Sequence, residues 1–424
     1  MIGIVSYATY LPSHRLRGSR VVASFDEDST TLGVAAAQAA LGDKPVDALY
    51  FASTTPAYAD KANATAIHAA LGLPVDTFAV DLMGSARSAV AALRSASTSC
   101  GMAVLADVRV GRAGSSDERD GADAAAAFLF GDGDTIANII GYACATTEFL
   151  DRWRSPGGVS AQWEERFGFE QYLPLIESVR AQVGIDDPDH VVVVSPNTAV
   201  RKWAARTFTT SPVGHAGAAD LGIALAHVLD TAQPGETILL ISAADGVDAI
   251  ALRVTAQVRR QPVSVVEQLA AGVDADYLTY LSWRGLIEQE PPRRPEPDRV
   301  AAPPAARDRD WKFGFTASCC AACSFVHLPP VRACKNCGAV DQMTSQPLRG
   351  AGTVATFTVD RLAYSPAPPV VGAVVDFDGG GRYTLELADG DADRIAVGSR
   401  VGLTFRRLHS AGGVHNYFWK AKLL

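Results

Sequence analysis

The sequence is short of positive charge: its formal net charge is −8 and its isoelectric point about 5.5. An acidic chain lacks the electrostatic footprint of a nucleic-acid or anionic-membrane binder, so neither partner is expected, although a local basic patch can still grip a phosphorylated ligand. Long apolar runs are also missing. None approaches the roughly 20 residues that cross a bilayer, and the opening MIGIVSYATYLPSHRLRG has no basic n-region of a signal peptide. The expectation is a cytoplasmic protein. Cysteine is scarce outside one place: of seven, five lie between positions 319 and 337, and Cys100 and Cys144 stand alone in apolar surroundings. Free buried thiols in a reducing compartment plus one clustered metal site explain that distribution better than a disulfide scaffold does.

What is present is an ordinary globular composition, 48% apolar and 20% charged over 424 residues, enough for two or three domains. Between Glu288 and Arg309, EQEPPRRPEPDRVAAPPAARDR places six prolines among charges. Such a stretch cannot build a core and reads as an extended linker. The expected division is 1–288, a linker over 289–310, a metal ribbon over 311–346 and a barrel over 347–424.

Before the linker, apolar runs (ALYFAS, TFAVDL, MAVLADV, DAAAAFLFG) alternate with helical patterns, the grammar of a sheet covered on both faces. The grammar repeats. HVVVVSPNTAVRKWAA answers ALYFASTTPAYADKANATAIHAA, and SPVGHAGAADLGIALAHVLDTAQPGETILLISAADG answers TFAVDLMGSARSAVAALRSASTSCGMAVLADV. Two copies of one layered unit imply a pseudo-twofold α/β fold whose helix N-termini meet at one site, since ligands bind beyond the carboxyl ends of the strands. Between the halves lies an aromatic insertion with Trp153, Trp163, Phe167, Phe169 and Tyr172 among Arg152, Arg154 and Arg166. It reads first as a packed helical flap or subunit contact, and second as a cleft lining.

After the linker, Cys320-Ala-Ala-Cys323 and Cys334-Lys-Asn-Cys337 form two C-x-x-C knuckles. Together they offer a closed tetrahedral zinc site with no open position for water, hence a structural one; Cys319 breaks the register and is left out. Five β-prone runs then suggest a small OB-type barrel.

Together, IGIVSYATYLP, LDTAQPGETILLISAADGVDA, DGADAAAAFLFGDGD and LTYLSWRGLI resemble the bacterial and archaeal 3-hydroxy-3-methylglutaryl-CoA synthases of the thiolase superfamily. The tail (LPPVRACKNC, LRGAGTVATFTV) resembles the zinc-ribbon/OB proteins that accompany such enzymes. The resemblance implies a five-layered thiolase fold, a coenzyme A thioester as substrate and a homodimer, with room for a further thiolase-like or hydratase partner. It also implies where catalysis sits, and there the match fails. The acylated cysteine falls on Ala86, the acid/base glutamate on Thr54, the histidine on Asn197 and the asparagine on His215.

Alanine cannot become an acyl-enzyme, so the resemblance does not extend to genuine synthase chemistry. The amides around Ala86 still open a helix and can serve as an oxyanion hole. His215 and Asn197 then become candidates for acid/base and hydrogen-bonding roles in aldol or retro-aldol chemistry, with Tyr58 as a further proton donor. His215 reads equally as a loop histidine bonded to backbone, and Asn197, after Pro196, as a turn or cap residue. Thiolase-like aldolases that trim steroid side chains, and that work with a zinc-ribbon/OB partner, resemble this arrangement. Two alternatives stand beside it: a non-catalytic acyl-CoA-binding scaffold, and an acyltransferase using Ser85.

Overall fold

The computed structural model describes residues 2–155, 158–255, 260–290, 293–389 and 392–424. The chain divides into two compact units. The first comprises Met1–Ala23, Asp28–Thr65 and Val75–Leu286; the second comprises Ser24–Glu27, Ala66–Pro74 and Ile287–Leu424.

The first unit is built on nine strands: β1 (Gly3–Tyr10), β2 (Ala48–Ser53), β3 (Phe78–Met83), β4 (Met102–Asp107), β5 (Ala124–Gly131), β6 (Ala137–Ala145), β7 (His190–Val194), β8 (Thr237–Ala243) and β9 (Val247–Val254). Their order is β7-β8-β9-β6-β1-β5-β4-β2-β3. Read outward from the centre, the first half runs β1-β5-β4-β2-β3 and the second β6-β9-β8-β7. The two sequences of strands match position by position, and the halves join where Gly3 and Ile4 pair antiparallel with Asn138 and Ala137. The second-half counterpart of β3 shrinks to an isolated parallel bridge, Val192 to Thr209. The duplication legible in the sequence is thus a duplication of topology.

The helices follow the same plan. α1 (Ser29–Leu41) packs on β5, β1 and β4, and α2 (Ser88–Thr98) on the first-half strands. In the second half α3 (Glu165–Gln182) covers the sheet, α4 (Thr198–Ala204) follows β7, and α5 (Ala219–Leu229) lies in the middle. Ala89 and Leu93 of α2, Leu221 and Leu225 of α5, Phe128 of β5, and Leu240 and Ile250 of β8 and β9 share one core. The two central helices are therefore sandwiched between the strands of both halves, giving five layers. Such a position demands a helix that is apolar all round, and ten of the eleven residues of ADLGIALAHVL are buried. A Cβ on Gly222 would meet the Cβ of Ala126 at 2.6 Å, so this glycine is what lets α5 approach β5. The aromatic insertion forms α3, whose Tyr172, Ile176 and Val179 pack on Val193, Leu239 and Ala249.

In the second unit, part of the stretch expected to be extended is helical: Ala302–Arg307, with proline in its first turn, where no amide hydrogen is needed. Strands β10 (Thr316–Cys320), β11 (Val326–His327) and β12 (Met343–Pro347) form the ribbon. The five expected strands follow as β13 (Gly352–Asp360), β14 (Val370–Phe377), β15 (Arg382–Glu386), β16 (Arg400–Ala411) and β17 (Val414–Leu423), ordered β15-β14-β13-β16-β17. A Leu387–Ala421 bridge brings the end of β15 to β17, turning the sheet toward closure. The buried Arg406 guanidinium pairs with Asp26 at 3.0 Å, Glu27 at 2.9 Å and Asp389 at 2.7 Å. Burial alone would raise the Asp26 pKa, but Arg406 and Lys420 outweigh it and hold the carboxyl below the usual range.

Candidate functional site

β3 ends at Met83, Gly84 turns the chain at φ +124°, and Ser85–Arg87 leads into α2. No side chain caps this helix. Ser85 Oγ accepts from Arg87 N at 3.2 Å, and Ser88 Oγ donates to the Ser85 carbonyl, so both serines support the turn. Among the described residues, the Ala86 N–H has no hydrogen-bond partner. Ala86 lines a cavity of about 150 Å³ shared with Thr54, Arg109, Asp151, Arg154, Tyr172 and His215.

Arg87 fixes this tip to the second half. Its Nε donates to Asp248 at 2.7 Å, and its two Nη atoms reach the Asp245 carbonyl and Thr146 Oγ1, each at 2.8 Å. On the other wall, the buried Asp107 carboxylate at the end of β4 accepts from Ser53 Oγ, from the amides of Thr54, Thr55 and Ala218, and from the hydroxyls of Thr54 and Thr55. One carboxylate thus ties the loop after β2 to the loop that carries His215. Thr54 Oγ1 in turn accepts from Arg109 Nη1 at 2.8 Å, and its carbonyl accepts from Arg154.

Of the residues singled out from the sequence, His215 and Ser85 line the cavity. The His215 ring is buried, with Nδ1 3.5 Å from Asp220 Oδ2, beyond a good hydrogen bond. Burial, with Arg109 and Arg201 nearby, lowers its pKa despite Asp220, so the imidazole is held neutral. Asn197 is the N-cap of α4: Oδ1 accepts from Ala199 N and Val200 N, and Nδ2 donates to Asp151 Oδ1 at 2.9 Å and to the Glu165 carbonyl at 3.1 Å. Fully buried and fully bonded, it lies behind the wall rather than on it. Tyr58 is bound through its backbone to the Asn63 side chain, with Lys61 over its ring, and does not line the cavity.

The cavity also contains groups that sequence reasoning gave no chemical role. Asp151, Arg152, Trp153 and Arg154, from the start of the aromatic insertion, all line it. The second reading of that insertion, a cleft lining, holds for these residues, and the first, a packed helix, for α3. Burial, with Glu165 and Asp245 nearby, raises the Asp151 pKa against the hydrogen bond from Asn197 and the charge of Arg152.

In the ribbon, Cys320, Cys323, Cys334 and Cys337 bring four sulfurs within 4.8 Å of one another. The pairs Cys320–Cys337 and Cys323–Cys334 stand 3.7 and 3.6 Å apart. Tetrahedral thiolates at about 2.3 Å from one zinc lie ~3.8 Å apart, so the set fits such an ion. His327 Nε2 lies 3.4 Å from Cys334 Sγ, and Asn336 Nδ2 3.6 Å from Cys323 Sγ, polar contacts that orient metal-binding thiolates.

The chain is similar to several known proteins. A hydroxymethylglutaryl-CoA synthase of Methanopyrus kandleri is 29% identical over 338 residues, spanning 66% of this chain and 95% of that one. One from Archaeoglobus fulgidus is 27% identical over 343 residues, spanning 68% and 100%. The crystal structure of an HMG-CoA synthase complexed with CoA superposes with a TM-score of 0.56 at 16% identity, covering 66% of this chain and 89% of the other. The first unit has the thiolase fold. Residues 345–406 match the C-terminal OB-fold domain of ChsH2. No helix among the described residues is long and apolar enough to cross a membrane.

Proposed function

We propose that this protein makes or breaks a carbon–carbon bond of the aldol type in a coenzyme A thioester, without forming an acyl-enzyme. The observation that carries the reading is an Ala86 amide without a hydrogen-bond partner, in a residue that lines the cavity at the position the resemblance gives to the acylated cysteine. The tip amide and the positive end of α2 polarise the thioester oxygen, and removing a comparable donor from an enzyme costs about 3 to 4 kcal/mol. A neutral buried imidazole at His215 suits a base that takes the proton of a β-hydroxyl as the bond breaks. The resemblance of the barrel to an OB-fold domain found with acyl-CoA enzymes supports a CoA-holding role for it.

The four-cysteine cluster holds a structural zinc: Cys320, Cys323, Cys334 and Cys337 would supply all four thiolates, and the ion would fold the ribbon rather than enter the reaction. The native state is a homodimer. β3 is a sheet edge with Phe78 58% and Met83 36% exposed, an edge strand of the kind that recruits a second copy. The protein is cytoplasmic on this reading.

The test is to incubate the purified protein with 3-hydroxyacyl-CoAs and follow free aldehyde or ketone by mass spectrometry. Cleavage that His215→Ala abolishes and Ser85→Ala retains supports the proposal. Coenzyme A thioester binding without turnover favours the scaffold, and loss of activity in Ser85→Ala favours the acyltransferase.

A further inference from the structure

Aldol chemistry on a thioester needs a group that exchanges a proton with the carbon next to the thioester carbonyl, and none of the residues placed above fills that role. Thr54 is committed to Asp107 and Arg109, and Asn197 cannot titrate. We infer that Asp151, which lines the cavity, is this proton-transfer residue, with one oxygen held by Asn197 and the other, Oδ2, left without a donor. The inference rests on the reading of the site given above.

The residue is buried, with an exposure of 3%. Its two oxygens are treated differently. Oδ1 accepts from Asn197 Nδ2 at 2.9 Å, while Oδ2, equally shut off from bulk water, has no hydrogen-bond partner. A buried carboxylate oxygen without a donor is costly unless it carries a proton or meets a ligand. Here the residue lines the cavity that Ala86 also lines.

The surroundings are shaped to hold this geometry. A Cβ on Gly168 would lie 2.2 Å from Asp151 Oδ1 and 2.5 Å from Asn197 Nδ2. Glycine inside a helix is unfavourable relative to alanine, so the first turns of α3 give up helix stability to let the Asp151–Asn197 pair sit against the backbone. The charged and titratable groups around the carboxyl are Arg152, Glu165, Asp245 and Tyr172. Arg152 is already engaged by Asp117 and Glu165, so it does not lock Asp151 as a permanent anion. Their net effect with burial raises the carboxyl's pKa and makes it a better proton acceptor than an exposed aspartate.

The step balances without any further reactant. The C–H bond next to the thioester breaks, its electron pair moves onto the thioester oxygen beside the Ala86 amide, and the proton goes to Asp151 Oδ2. In the cleavage direction the bond between the carbon next to the thioester and the hydroxyl-bearing carbon breaks, His215 takes the hydroxyl proton, and the enolate carbon takes a proton that Asp151 carried into the step. Asn197, at the position the synthase resemblance gives to a histidine, is then a positioning residue that leaves Oδ2 as the active oxygen.

The experiment is deuterium exchange into acetyl-CoA and propionyl-CoA in heavy water, followed by mass spectrometry across a pH series, with melting temperatures as a check on folding. The wild-type protein is expected to exchange the hydrogens next to the carbonyl, with a rate that rises with pH through one ionisation above the ordinary aspartate range. Asp151→Asn, nearly isosteric, lowers the rate at least a hundredfold and removes that rise. Gly168→Ala lowers the rate and moves the midpoint of the rise while the chain stays folded. Exchange by the wild-type protein that persists in Asp151→Asn, or that is independent of pH, overturns the role of Asp151 and leaves the thioester reading standing. No exchange by the wild-type protein at any pH overturns both.

Discussion

Two helices begin beside the same cavity, and their first turns are finished in opposite ways. α4 has a full side-chain cap, with Asn197 Oδ1 taking two amides and Nδ2 bridging to Asp151. α2 has none, and the Ala86 amide is left free. The polar residue has therefore been consumed by structure, while the apolar one leaves exposed the group useful for chemistry. A substitution that looks like a loss of function at the level of side chains can preserve the part of an active site that the backbone supplies.

The difference can be broken or sharpened by mutation. The largest change is expected from Ala86→Cys. A thiol at an uncapped helix tip is acidified by the same dipole that would polarise a thioester, so incubation with acetyl-CoA should add one acetyl group to this variant and none to the parent, read by intact mass. Next comes Asn197→Ala, which uncaps α4, at about 1 to 2 kcal/mol, and strips Asp151 Oδ1 of its donor, at about 1 to 3 kcal/mol. A combined loss near 3 kcal/mol in chemical denaturation is expected. Arg87→Met should cost about 2 kcal/mol by removing the charged hydrogen bonds to Asp248.

A smaller effect tests the neutrality of His215. Its folded pKa lies below the ordinary 6.5, so between those two values the unfolded chain binds the proton and the native state does not. Stability is then lost as pH falls below about 6.5, and His215→Gln should flatten that part of the pH–melting curve. The smallest effect belongs to Ser85→Ala, about 0.5 kcal/mol, because Ser85 supports only one turn amide.

What was legible in the sequence divides along the same line. The duplication and the ribbon could be read because each is written in local spacing: matched runs of apolar strand and small-residue helix, and two C-x-x-C pairs. The cap at Asn197 was readable as an alternative, since asparagine after Pro196 and before a helical run is a known capping pattern. Asp151 was not. Its role depends on Asn197 and Gly168, which are distant in sequence, and on a free oxygen that only the fold creates. Arg109 likewise gains meaning only from Thr54, 55 positions away. Tyr58, expected as a further proton donor, does not line the cavity, and its backbone is held by the Asn63 side chain.

The central claim is that the cavity activates a thioester without capturing its acyl group. The most direct measurement is the intact mass of the protein, quenched in acid during turnover of a 3-hydroxyacyl-CoA while the released carbonyl compound is quantified. The account predicts product with an unmodified chain at every time point. An acyl adduct that forms and decays at the rate of turnover would contradict it.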